Sequence, residues 1–442
     1  MTLDVREAVA DAHRRGWAMV LAATVRVTRD PELAEECVQE AYAGALAAWP
    51  AAGVPDNPVG WLTTTARRRA VDAVRRNQVY RTKLALLVPP GEDEQPAEIA
   101  PPEPGGAVPD ERLRLIFMCC HPALSPQVQP ALTLRLVCGL STADIAHAFL
   151  VAEPTMAARL TRAKKKIAAA RIPFRVPSAA ELPGRLPGVL GVIHLLFTTG
   201  HTAPSGALLV RADLTGQALH LARMLRDLMP GEPEVRGLLA LLLVTDARRG
   251  TRVDAEGRLL RLDQQDRSRW DRAAIAEAHD LIVDALHAGR PGRYVLQAAI
   301  AALHAQAPAF EQTDWPQILT LYDHLVAVWP SPVAALNRTV ALAHVHGPAE
   351  ALRDLERLEA DGRLAGYRYL PAVKADLLQQ LGRPAEAAPA YRAALELAGN
   401  EPEREFLTRR LAGVDPPAAA SIRRAEQPVR AAARSASAPS DR

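Results

Sequence analysis

The sequence predicts an all-α protein: two small helical domains joined by a flexible linker and followed by an α-solenoid. Three observations carry that prediction. Apolar residues recur at helical spacing throughout, and no run alternates as a half-buried strand would. The apolar content, 49% of residues with only 4% aromatic, is mostly Ala, Leu and Val, which favours tightly packed helices. Two stretches interrupt the pattern. Residues 89–109, PPGEDEQPAEIAPPEPGGAVP, read as a linker, and residues 414–442, with Ala, Pro, Ser and Arg but no apolar period, read as a disordered tail. The expected domains are therefore 1–88, 110–176 and 178–413.

The bulk properties narrow the classes. A chain of 442 residues has room for two or three domains. Its formal net charge is only +3, so a nucleic-acid role has to rest on local patches. Four cysteines, Cys37, Cys119, Cys120 and Cys138, are too few for a disulfide framework in so long a chain. Asp4, Arg6 and Glu7 occupy the place of a signal-peptide apolar core. The apolar runs Val189–Phe197 and Leu238–Val244 are too short to span a bilayer. The expectation is a cytoplasmic protein with no membrane partner.

In the first domain, Arg29–Pro50 places Leu33, Cys37, Ala41, Ala45 and Trp49 every four residues as a buried stripe. Glu32, Glu35, Glu36, Gln39 and Glu40 form an acidic face, which suits either the helix macrodipole or a basic protein partner. In the next helix, NPVGWLTTTARRRAVDAVRR, Trp61, Leu62, Ala66, Ala70 (or Val71) and Val74 line one side, and Arg67, Arg68, Arg69, Arg75 and Arg76 fall nearly all on other faces, with Asp72 among them. Trp and Arg beside a polar loop suit stacking on unpaired bases and gripping a backbone; a solvated basic helix reads the same way.

In the second domain, Gly139–Lys166 reads as a helix-turn-helix. Ser141 is the N-cap, with Asp144 as its capping-box partner. The first helix ends near Leu150, and Pro154 sits in the first turn of the second. Met156, Leu160, Ala163 and Ile167 form the buried side of the second helix. Thr155, Arg159, Arg162, Lys164, Lys165 and Lys166 take the rest, where they would meet bases and phosphates. An amphipathic pair with a solvated basic face is the alternative.

Together these segments resemble bacterial sigma factors of the sigma-70 family, extracytoplasmic-function class. AEECVQEAY is similar to the core-polymerase-binding helix of region 2, and NPVGWLTTTARRRAVDAVRR to the helix for the −10 element. The stretch from Asp110 to Phe174 is similar to region 4. The segment FMCCHPAL and the domain order resemble the subgroup with a C-terminal tetratricopeptide-like extension. The resemblance implies that Glu36, Gln39 and Glu40 bind the β′ clamp helices of RNA polymerase core, with the β flap as a further core contact. It implies that Asp56, Asn57, Trp61, Arg67, Arg68, Arg75 and Arg76 serve the −10 element of promoter DNA. It implies that Thr155, Arg159, Arg162, Lys164 and Lys165 serve the −35 element. The chain departs from the class at Arg68, where Asn is usual, at Ala157 and Ala158, where Lys and Ser are common, and at Leu150, where Gly is usual.

In the third domain, residues 369–402 follow the tetratricopeptide pattern through Ala375, Leu378, Gly382, Ala387, Tyr391 and Ala394. Earlier units run through Leu342, Gly347, Ala351 and Leu355, and through Ile318, Tyr322 and Leu325. Such a solenoid offers a concave surface to a peptide, protein or small molecule, or simply stabilises its neighbours. The charged stretch Asp246–Asp271 reads as a turn excursion that holds either a salt network or a ligand pocket. Cys119, Cys120 and His121 lack the spaced pairs of a zinc site and read as buried small cysteines, a redox pair being the alternative. No catalytic motif, metal or cofactor is expected. The leading function is a non-catalytic sigma subunit directing promoter-specific initiation, its C-terminal block serving regulation or partner binding. The alternative is a stand-alone helix-turn-helix regulator with a solenoid sensor.

Overall fold

Helix boundaries follow local chemistry. Asp30 caps the second helix by accepting from the Glu32 and Leu33 N–H groups, with Pro31 in the first turn. Asn57 accepts from Gly60 N–H (2.9 Å) ahead of Pro58, which fixes the start of the third. The computed structural model describes residues 5–85, 111–149, 151–178, 180–203, 206 and 208–415. The expected linker at 89–109, the turn residue Leu150 and nearly all of the expected tail lie outside the described residues.

Among the described residues there are helices and two isolated bridges but no strand. The chain is all-α. In order the helices are α1 (Val5–Thr28), α2 (Pro31–Ala52), α3 (Pro58–Ala85), α4 (Glu111–Cys119), α5 (Gln129–Leu136), α6 (Thr142–Ala148), α7 (Glu153–Ala169), α8 (Leu182–His201) and α9 (Ala212–Leu228). There follow α10 (Pro233–Asp246), α11 (Arg272–His287), α12 (Arg293–Gln306), α13 (Trp315–Val328), α14 (Pro332–His346), α15 (Pro348–Asp361), α16 (Tyr369–Gln380), α17 (Pro384–Leu397) and α18 (Glu401–Val414).

The chain divides into two compact units. The first runs through Phe197 and takes in Gly216–Leu221; the second holds Thr198–Thr215 and the chain from Ala222 on. Residues 182–197 thus pack with the first unit, beyond the boundary at 176 that composition suggests. The buried Arg185 guanidinium, which donates to the Phe117 carbonyl (3.3 Å), shows how.

In the first unit, α1, α2 and α3 pack around Val20, Leu21, Val38, Ala41, Leu62 and Ala66, all fully buried. Burial of Leu115, Ile116, Phe117, Met118 and Cys119 leaves α4 almost without a wet face. Gly139, at φ +65°, brings the chain against Trp17; a Cβ there would stand 3.0 Å from the indole, so glycine serves both the turn and the approach.

In the second unit, α13–α18 each pack mainly on their sequence neighbours, whereas α10 packs on both α11 and α12. Ala375, Leu378, Ala387, Tyr391 and Ala394 are buried together, as are Ala351 and Leu355 beside them. Ile318, Leu325 and Leu342 form the neighbouring core. Helix α10 lies against α12 so closely that a Cβ on Gly237 would meet the Val295 backbone nitrogen at 2.6 Å. The stretch 252–260 doubles back through a Val253–Leu259 bridge and a turn at Gly257.

Candidate nucleic-acid interface

Helix α2 presents two different acidic surfaces. Glu36, Gln39 and Glu40 are exposed. Glu40 pairs with Arg69 of α3 at 2.5 Å across the surface. Glu35, grouped with them by sequence, is turned inward: its side chain is 5% exposed, and it meets two cations. Arg135 of α5 donates to one carboxylate oxygen, and Lys164 of α7 reaches the other at 2.6 Å. Gln39 donates to Glu35 at 3.5 Å, so it stands at the edge of this clasp. The clasp ties the helix-turn-helix to the N-terminal helices. Glu35 is buried because α2 packs on α7 as well as on α1 and α3, which widens its buried face beyond the Leu33–Trp49 stripe.

The α3 side chains fall where the sequence puts them. Asp56, Asn57, Arg67, Arg68, Arg75 and Arg76 are exposed, and Trp61 is half-buried edge-on to Trp49, with centroids 5.6 Å apart. Asn57 also caps the helix, so its side-chain oxygen is committed. Two neighbours escaped the sequence reading. Val79 and Tyr80 join Arg75 and Arg76 around a shallow depression of 380 Å³, and Tyr80 is 67% exposed. An exposed aromatic ring among arginines is a surface on which a base can stack. The signal available in the sequence was an aromatic residue four positions after Arg76, on the same helix face.

On α7, Met156, Leu160, Ala163 and Ile167 are buried, and Thr155, Arg159, Arg162 and Lys165 are exposed. Ser141 accepts from Asp144 N–H (3.1 Å) and donates to the Asp144 carboxylate (2.7 Å), which fixes the start of α6. Lys164 stands apart from these. It is 14% exposed and engaged by Glu35, not free on the basic face. Four positions beyond Leu160, it flanks the buried stripe, where it reaches α2.

The thiols below are insulated. Burial pushes Cys119 up to about 12 and Cys120 well above the ordinary thiol value, despite hydrogen bonds with Thr133 that pull the other way. Thiolate chemistry is correspondingly suppressed.

Comparison with known proteins now decides the lineage. Residues 14–79 match the model for sigma-70 region 2, and residues 114–167 match sigma-70, region 4. Residues 185–286 match a family of unknown function, DUF6596. An ECF RNA polymerase sigma factor SigK of Mycolicibacterium vanbaalenii is 31% identical over 35% of this chain and 76% of its own length. This chain belongs to the extracytoplasmic-function class of the sigma-70 family. A SigK of Mycobacterium sp. (strain KMS) is 31% identical over 32% of this sigma-family chain and 71% of the relative. An uncharacterized protein of Rhizobium meliloti is 44% identical over 88% of this chain and 92% of its own length, so it shares the C-terminal extension as well. No helix among the described residues of this sigma-family chain is long and apolar enough to cross a membrane.

Proposed function

We propose that this chain is a promoter-specificity subunit of RNA polymerase. In this reading Glu36, Gln39 and Glu40 dock on the β′ clamp helices, and the helix-turn-helix domain also meets the β flap. Asp56, Asn57, Trp61, Arg67, Arg68, Arg75 and Arg76 open and hold the −10 element, with Tyr80 as an added stacking surface. Thr155, Arg159, Arg162 and Lys165 read the −35 element. Lys164 joins them once the Glu35 clasp releases it. The C-terminal helical block is a tetratricopeptide-like module for regulation or partner binding.

The observation that carries this reading is the separation of charge: exposed acid on α2 for a basic protein partner, exposed arginines on α3 and α7 for DNA. A stand-alone operator-binding protein has no use for the acidic face. Arg159→Ala tests the −35 assignment in reconstituted holoenzyme. Losing one base-reading contact costs about 1–3 kcal/mol, so initiation at a −35-dependent promoter falls about 5- to 150-fold. Affinity for core stays unchanged. Undiminished initiation from Arg159→Ala holoenzyme would remove α7 from promoter reading.

A further inference from the structure

Buried arginines in folded proteins are normally matched by carboxylates, because an unpaired charge away from water is costly. The second unit breaks this rule in one place. The buried Arg267 and the half-buried Arg248 lie against the buried Trp270, the half-buried Arg252 stands near Arg248, and among the described residues none of the three makes an ion pair. What holds two of them is helix ends. Arg252 donates to the His201 carbonyl at the C-terminus of α8 and to the Thr202 hydroxyl (3.1 Å). Arg267 donates to the His304 and Ala307 carbonyls, 2.6 and 2.7 Å, at the C-terminus of α12. Arg248 follows the last turn of α10. Two helix C-termini thus supply partial negative charge to Arg252 and Arg267, enough to place these cations but not to neutralise them.

The spare hydrogen-bonding capacity is real. Arg267 is 8% exposed, yet one of its terminal nitrogens has no partner. Arg248, over the Trp270 ring at 5.9 Å as Arg267 is at 4.9 Å, makes no hydrogen bond among the described residues. It keeps some accessible surface while burial, and then Arg252 and Arg267, draw its pKa down to about 10. His304, with a buried ring nitrogen lacking a partner, is drawn down to about 4 by burial and then by Arg248 and Arg267. Two acids act on the cluster without an ion pair: Glu403 pulls the Arg252 pKa up but is itself taken by Arg368 (3.3 Å) and the Tyr369 hydroxyl (2.7 Å), and Glu311 pulls Arg267 up.

We propose that Arg248, Arg252 and Arg267 form a binding site for a small oxyanion ligand, a phosphate- or carboxylate-bearing metabolite, with Trp270 as its apolar wall. Planar guanidinium groups offer such an anion paired donors, and its charge supplies what the helix ends do not. The existence of the site is independent of promoter selection; its use as an effector site rests on the sigma-factor reading above.

The test uses the full chain without polymerase. Thermal unfolding and calorimetric titration are run with inorganic phosphate and, separately, with succinate, on the parent chain, Arg248→Met and Arg248→Gln. At least one probe should raise the melting temperature saturably in the parent chain, and both variants should weaken that binding by at least about tenfold. In the absence of anion the variants should melt higher than the parent, because an unmatched cation has been removed. Neither probe acting saturably, equal binding by the variants, or variants that melt lower without anion would overturn the site. A failure of promoter-dependent transcription would leave these binding results unchanged, so the two readings fail separately.

Discussion

Glu35→Ala should loosen the helix-turn-helix from the N-terminal helices and lower the melting transition of the first unit. Its carboxylate is 5% exposed, and Arg135 and Lys164 are only 20% and 14% exposed. Removing the acid leaves two cations facing each other in a poorly hydrated gap. Breaking a buried pair in this way costs about 3 kcal/mol or more, the lower figure applying because both cations retain some access to water. Two measurements check it: calorimetry of the full chain, and the distance between spectroscopic labels on α2 and α7. A Glu35→Leu/Lys164→Met double variant should recover part of the loss, as residues acting through one contact do in a double-mutant cycle. Unmoved label distances together with an unmoved transition would mean that the clasp contributes nothing to holding α7 on α2. Under the proposed function, Lys164 meets DNA only when the clasp opens.

The other large effect concerns partner binding. Glu36→Lys combined with Glu40→Lys should weaken the proposed association with core polymerase by about 100-fold, or about 2.7 kcal/mol. Both side chains are exposed, and the Glu40–Arg69 pair, with Glu40 61% exposed, contributes little to folding. The doubly reversed chain should therefore keep its melting temperature while losing affinity, most strongly at low salt, where surface charges are least screened. Equal affinity of parent and variant at low ionic strength would place the core-binding surface elsewhere.

Local chemistry was legible in the sequence. The Ser141 cap on the Asp144 N–H and the Met156, Leu160, Ala163, Ile167 stripe are set by spacings of three and four residues, and the folded chain has both, although Asp144 bonds the Ser141 hydroxyl in place of the backbone N–H of a full capping box. The buried positions of the helical hairpins, such as Ala375 and Tyr391, were readable for the same reason. Glu35 was not. Its partners lie 100 and 129 residues away in sequence, and helical periodicity carries no information about a carboxylate that another domain covers. The stretch from Asp246 to Asp271 was visibly charged, but whether it held salt pairs or a site depended on where the ends of α8, α10 and α12 meet. The arginines of that stretch bond the ends of α8 and α12, 37 to 51 residues away in sequence, a placement that neighbouring residues do not encode.

The most direct measurement is run-off transcription with purified core polymerase from the same organism, the full chain and genomic fragments, followed by mapping of the 5′ ends. The account predicts transcripts that begin at a small set of discrete positions, appear only when the chain is added, and vanish with the Glu36→Lys/Glu40→Lys variant. Core that is active with another specificity subunit but silent or unselective with this one would contradict it.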